Sequence, residues 1–192
     1  MSRCVALAGL FIALRALAQP DAVVLVAKPD LVDSNFSGTV VLVTHSPTGE
    51  TVGVVLNKPT ELHLADVAPE FPRAASYAEP LYDGGPVMET VIVALFHAAA
   101  PPAAPAFRVL DDAYVSMHPD NIASLLRRPE GRFRLFAGFS GWAPGQLESE
   151  IERDGWYVLP ASEELLFRRD TSAMWRELID KAQSRRTIYF YR

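Results

Sequence analysis

Short β-branched runs separated by turn residues, rather than long helical stripes, dominate the first two-thirds of the chain. Residues 22–27 (AVVLVA) form an apolar run closed by Lys28-Pro29, and 38–45 (GTVVLVTH) and 51–56 (TVGVVL) repeat the pattern. Apolar runs of this length, rich in Val, predict buried strands. Ser46-Pro47-Thr48-Gly49 supplies turn chemistry between the second and third, so these two predict a hairpin. Asn57-Lys58-Pro59 stops the third, because proline cannot continue a central ladder. Residues 90–97 (TVIVALFH) are apolar throughout, which predicts a strand covered on both faces. Residues 107–110 and 113–117 predict a second hairpin around Asp111-Asp112, 132–139 (RFRLFAGF) a strand entering the core, and 156–159 a short final strand.

Helical spacing emerges later. Pro119 opens a helix over 119–128, with Ile122, Leu125 and Leu126 on one face. A second helix over 144–154 turns Leu147 and Ile151 inward and Glu148, Glu152 and Arg153 outward, with Gly155 as its stop. Residues 62–67, 163–167 and 173–183 are also expected to be helical. The Ala/Pro-rich stretch 98–106 reads as an exposed loop of low order, and 83–86 (DGGP) as a tight turn. Mixed strands and helices without internal repeat predict a single α/β (α+β) domain over 21–192.

Charge and composition narrow the function classes. Of 192 residues, 49 % are hydrophobic and 21 % charged, enough apolar material for one sizeable core. The formal net charge is −5, and the arginine pairs at 127/128, 168/169 and 185/186 are scattered, which argues against nucleic acid as a partner. Residues 1–18 differ from the rest. Arg3 precedes an uninterrupted apolar run of eleven residues, 4–14, and Ala16-Leu17-Ala18 places small residues where a signal peptidase reads them. The run falls short of the roughly 20 residues a permanent span needs, so export to the periplasm is expected, with no permanent membrane span once the signal is cleaved. The alternative is a retained segment and a cytoplasmic protein. Cleavage would remove Cys4, the only cysteine.

Four stretches, in order, resemble the YqgE/AlgH family of bacterial proteins: LVAKPDLVDSNFSGTVVLV (25–43), GVVLNKP (53–59), LYDGGPV (81–87) and GFSGWAPGQLESEIERDGWYVLPASEELLF (138–167), the last followed by Trp175. The resemblance implies a bifurcated, partly barrel-like mixed sheet surrounded by helices. It implies no reaction, cofactor or metal. Residues 88–91 (METV) depart from the Arg-Gly-aromatic pattern of many relatives.

The residues themselves offer little catalytic chemistry. Gly138-Phe139-Ser140-Gly141 resembles a nucleophile elbow, but Trp142 stands where that motif ends in Gly, so a structural turn is expected there. The alternative is a serine hydrolase using Ser140 with His97 or His118 as base. The four histidines (45, 63, 97, 118) lack ligand spacing, which argues against a metal. A polar, glycine-containing set remains at strand ends: Asn57, Lys58, Gly84, Gly85, Gly141, Trp142 and Gln146. Their loops are expected either to converge on a small concavity that Lys58 would bias toward an anion, or merely to make tight turns. The sequence thus points to a non-enzymatic binding or regulatory module, with a protein partner or small ligand.

Overall fold

The structure, a computed structural model, describes residues 22–45, 50–128 and 130–190, with backbone alone for 185–190. The signal-like segment 1–18 and the 46–49 turn lie outside the described residues. β1 (Ala22–Ala27), β2 (Val40–His45) and β3 (Thr51–Val55) pair antiparallel in sequence, as the alternation of Val runs and turns requires. β9 (Trp156–Pro160) pairs antiparallel with the other side of β1. β5 (Val87–His97), the hairpin β6 (Phe107–Arg108) and β7 (Ala113–Ser116), and β8 (Phe133–Trp142) complete the sheet. Its order is β6-β7-β5-β8-β3-β2-β1-β9, with the two-residue β4 (Tyr82–Asp83) parallel to β8.

β8 joins the two halves of this sheet. Its first part pairs with β5 and β4, whereas Ser140 to Trp142 pair with Gly53 to Thr51 of β3. The change of partner comes just past Gly138, after the Phe139–Val87 pair, and the φ of 72° at Gly138 bends the strand inside the left-handed region that only glycine enters freely. The expected turn at 138–141 is therefore a kink within a strand. Opposite it, β5 starts three residues earlier than expected and shifts register between Val87 and Ile92. The sheet curls so far that Val24, Val26, Leu42 and Val54 share one core with Val93, Leu95, Val115 and Phe136. It is a half-barrel, and Leu166 from α4 (Glu163–Leu166) and Met174 and Leu178 from α5 (Met174–Phe190) enter the same core.

Because central strands are covered on both faces, two outer cores complete the burial. Leu25, Val41, Val43 and Val55 meet Phe36, Trp142, Trp156 and Leu147 of α3 (Gln146–Glu152). Ile92, Ala94, Phe96 and Leu135 meet Leu64 of α1 (Leu64–Val67) and Ile122 and Leu126 of α2 (Pro119–Arg127). The continuous apolar character of residues 92–96 follows from this double coverage. Arg134 is buried on the inner side, its guanidinium 4.3 Å from the Tyr82 ring centroid and donating to the carbonyls of Leu56 and Arg168. Burial lowers its pKa.

α3 ends one residue earlier than its glycine suggests. Asp154, not Gly155, takes the left-handed conformation at φ 65°. The Asp154 amide then donates to Ile151 O and the Gly155 amide to Glu150 O, the pair of bonds that closes a Schellman motif. Gly155 packs closely, since a Cβ there would lie 2.9 Å from Leu31 Cδ1 and 3.1 Å from Glu150 O.

Candidate functional site

The strand-end set is brought together through its backbone. Gly84 donates to Ala137 O and accepts from Val55 N, and Asp83 N donates to Lys58 O. Contact is so close that a Cβ on Gly84 would lie 2.0 Å from Gly138 O, and one on Gly85 2.3 Å from Ser140 Oγ. The side chains do not line a common concavity. Asn57 donates to Gly38 O and accepts from Val40 N, holding the entry to β2. Lys58 Nζ reaches Asn35 O at 3.3 Å, while the next residue, Phe36, stacks on Trp142 with centroids 5.4 Å apart. The Ser34–Phe36 3-10 turn thus fills the place between the lysine and the indole. Trp142 is 4 % exposed, and its indole N–H donates to Glu150 Oε2, as does that of Trp156. Gln146 lies on the surface, donating to Glu150 Oε1 and accepting from Ala143 N. Gly141 is exposed and pairs with Val52.

Ser140 has no histidine beside it. Its hydroxyl is fully buried and donates to Gly84 O at 3.1 Å, so it meets neither solvent nor a base. His97 stands at the far end of β5, one residue beyond the Phe96–Phe133 pair, and its Nε2 lies 2.6 Å from Asp112 Oδ2. From Phe133 to Ser140 along β8 is about 23 Å. His118 lies past β7, a strand separated from β8 by β5. The serine is a structural group inside a kinked strand, and the alternative of a hydrolase using Ser140 with His97 or His118 finds no base beside the hydroxyl.

A concavity of about 880 Å3 opens elsewhere, between α2 and the 98–106 segment. That volume falls in the range of roughly 300–1,000 Å3 of ordinary ligand pockets. The segment carries no helix or strand, yet it is pinned. Asn121 Nδ2 donates to Ala104 O, Pro105 O and Ser116 Oγ, and Ser116 Oγ donates to Pro105 O at 2.8 Å. Asn121 and Ser116 are both buried, so these bonds form a built frame rather than surface contacts. The expected loop of low order is instead an arch fastened over the helix start. His118 caps α2 by accepting from Asp120 N at its Nδ1, which leaves the proton of the neutral ring on Nε2.

Sequence reasoning missed this cleft. Arg127 and Arg128 enter the sequence reading only as one of three scattered arginine pairs, and Asn121 and Ser124 enter no motif. The available signal was a second stripe at 121, 124, 125 and 128, beside the Ile122 and Leu126 stripe that enters the core. A further concavity of about 520 Å3 is lined by Asp30, Asp33, Glu150, Arg153 and Asp154. Three of its four carboxylates already have protein partners, since Asp33 accepts from the Asn35 amide, Asp154 pairs with Lys28 and Glu150 accepts both indole N–H groups. Among the described residues no helix is long and apolar enough to cross a membrane, and no group of three or more His, Cys, Asp or Glu could hold a metal ion.

The comparisons agree with this architecture. The chain is 36 % identical over 162 residues to a UPF0301 protein of Mycobacterium avium (strain 104), covering 81 % of this chain and 79 % of that one. It is 35 % identical over 140 residues to one from Mycobacterium tuberculosis H37Rv, covering 71 % and 69 %. Among solved structures it is similar to the AlgH protein from Pseudomonas aeruginosa, with a TM-score of 0.70 and 26 % identity over 87 % of this chain and 89 % of that one. A crystal structure from Corynebacterium diphtheriae is also similar, with a TM-score of 0.64 and 27 % identity over 84 % and 86 %. The family model described as AlgH-like matches residues 24–186, and the chain belongs to that family.

Proposed function

We propose that the chain is a non-enzymatic binding or regulatory module whose site is the cleft between α2 and the 98–106 segment. The observation that carries this reading is the buried Asn121–Ser116 frame, which holds an irregular Ala/Pro segment at a fixed distance from a helix face. A segment without secondary structure costs roughly 1–2 kcal/mol per residue to order. A frame that maintains an open concavity against that cost suits ligand capture better than simple chain connection. The strand-end residues serve the same module as architecture, fixing the kinked β8 that carries the rest.

Native mass spectrometry of the protein purified from its own host tests the reading. Wild-type protein is expected to carry a bound species. Ser124→Trp, at an exposed position lining the cleft, is expected to lose that species while keeping its thermal midpoint. A species retained unchanged by Ser124→Trp, or none in the wild type, refutes the assignment.

A further inference from the structure

The chemistry of the cleft is uneven. Asn121, Ser124, Leu125 and Arg128 stand at i, i+3, i+4 and i+7, so one face of α2 and its end turns toward the arch. Donors dominate along it. Besides Asn121, the lining residues with donor side chains are Ser124, Arg127, Arg128 and His118, with His97 already paired to Asp112. Asp120 is the single carboxylate of the lining, and it is 84 % exposed at its side chain and sits beside His118. Neither guanidinium has an ion-pair partner among the described residues. Cations at a helix C-terminus offset its dipole, but two adjacent ones at the mouth of a concavity exceed that need. The opposite wall is alanine and proline, and Phe96 and Leu125 add apolar surface.

We propose that this cleft takes a small organic anion, its carboxylate or phosphate set against Arg127 and Arg128 and its short apolar body against Leu125, Phe96 and the alanines of the arch. Ser124, one turn before the arginines, donates to a remaining anion oxygen. Planar guanidinium groups suit both oxyanions, because each presents paired N–H donors. The proposal rests on the cleft being the binding site.

The test is an amide-resolved NMR titration of the full chain with sodium hexanoate, monohexyl phosphate and hexylammonium chloride at matched ionic strength. One or both anions are expected to give saturable shifts at Ser124, Leu125 and residues 99–104, and the tighter of the two identifies carboxylate or phosphate as the preferred group. Replacing both arginines by glutamine is expected to weaken anion binding about tenfold or more, the scale of losing charged hydrogen bonds. The Arg127→Lys/Arg128→Lys protein should retain a larger share of the affinity. Both positions are exposed, and an unchanged thermal midpoint shows that the fold is intact. Hexylammonium binding as tightly at the same amides, or an unchanged anion affinity in the glutamine variant, overturns the anion assignment while leaving the cleft as a site. No saturable shift in the cleft from any of the three overturns the site itself.

Discussion

Glu150 offers a sharp test of how the outer core around the tryptophans is held. Its Oε2 accepts the indole N–H of Trp142 at 3.1 Å and that of Trp156 at 3.0 Å, while Oε1 accepts from Gln146 Nε2 at 3.1 Å. Trp142 and Trp156 are 4 % and 3 % exposed, so little water can replace the carboxylate. Glu150→Ala leaves two buried donors without an acceptor, at about 1–3 kcal/mol each. Glu150 is itself half-buried, and partial hydration through the vacated space brings the expected total to about 2–4 kcal/mol. Glu150→Gln keeps an oxygen facing the two indoles and loses the charge assistance and the surface contact with Gln146, for a cost of about 1 kcal/mol. Gln146→Ala, on the surface, should cost no more than about 0.5 kcal/mol. Urea unfolding followed by tryptophan fluorescence reads all three, provided the slope with denaturant is unchanged. A double-mutant cycle between Glu150→Ala and Trp142→Phe should show a coupling of about 1 kcal/mol or more, since the second change removes one of the donors. A loss below about 1 kcal/mol for Glu150→Ala, or equal losses for alanine and glutamine, refutes the shared-acceptor account.

Gly84→Ala should cost at least about 3 kcal/mol in the same assay, because the new methyl meets the Gly138 carbonyl and only backbone movement can relieve it; a near-neutral result would show that β4 and β8 slide apart freely. A fluorophosphonate probe should leave Ser140 unmodified in the folded protein, and labelling at that residue would revive a hydrolase reading. The hydrogen bonds from Arg168 hold the Glu177 carboxyl below the usual range. The stability difference between wild type and Glu177→Gln should therefore be full above about pH 4.3 and fade as acid protonates Glu177, and a pH-independent difference contradicts it. Burial pushes the Tyr77 phenol up to about 12. Stability should fall as pH rises from about 10, where the unfolded chain loses this proton and the folded one keeps it, and Tyr77→Phe should flatten that slope; identical alkaline profiles would refute the shift.

The strands around Val24, Val41, Val54 and Leu95 were legible because buried runs of β-branched residues need no tertiary information to be recognised. α2 was equally legible from Ile122 and Leu126. β4 was not, since two residues carry no period, and Tyr82 finds its place only by pairing beside Phe136. Gly138 reads as part of a turn because its local sequence is indistinguishable from one; the approach of Gly85 and Glu89 decides it. The candidate set at strand ends converged as backbone, but Phe36 fills the space near Trp142, and nothing in the local motif reveals that. The arch over α2 was missed for a similar reason. Alanine and proline give no periodic signal, and Asn121 acquires its role only when Ala104 and Pro105 come within reach.

The pairing of β1 with β9 carries a consequence for how the molecule is made. Residues 22–27 lie between β2 and a strand that begins at position 156, so one flank of the first strand stays without its partner until residues 156–160 have left the ribosome. Its exposed amides and the apolar side chains of Val24 and Val26 then resemble an open template for any passing strand. Closure over so large a sequence separation is entropically slow. Nascent chains of this protein therefore pass through an adhesive stage that ends only when Trp156–Pro160 docks, and shortening the chain before that point leaves them in it.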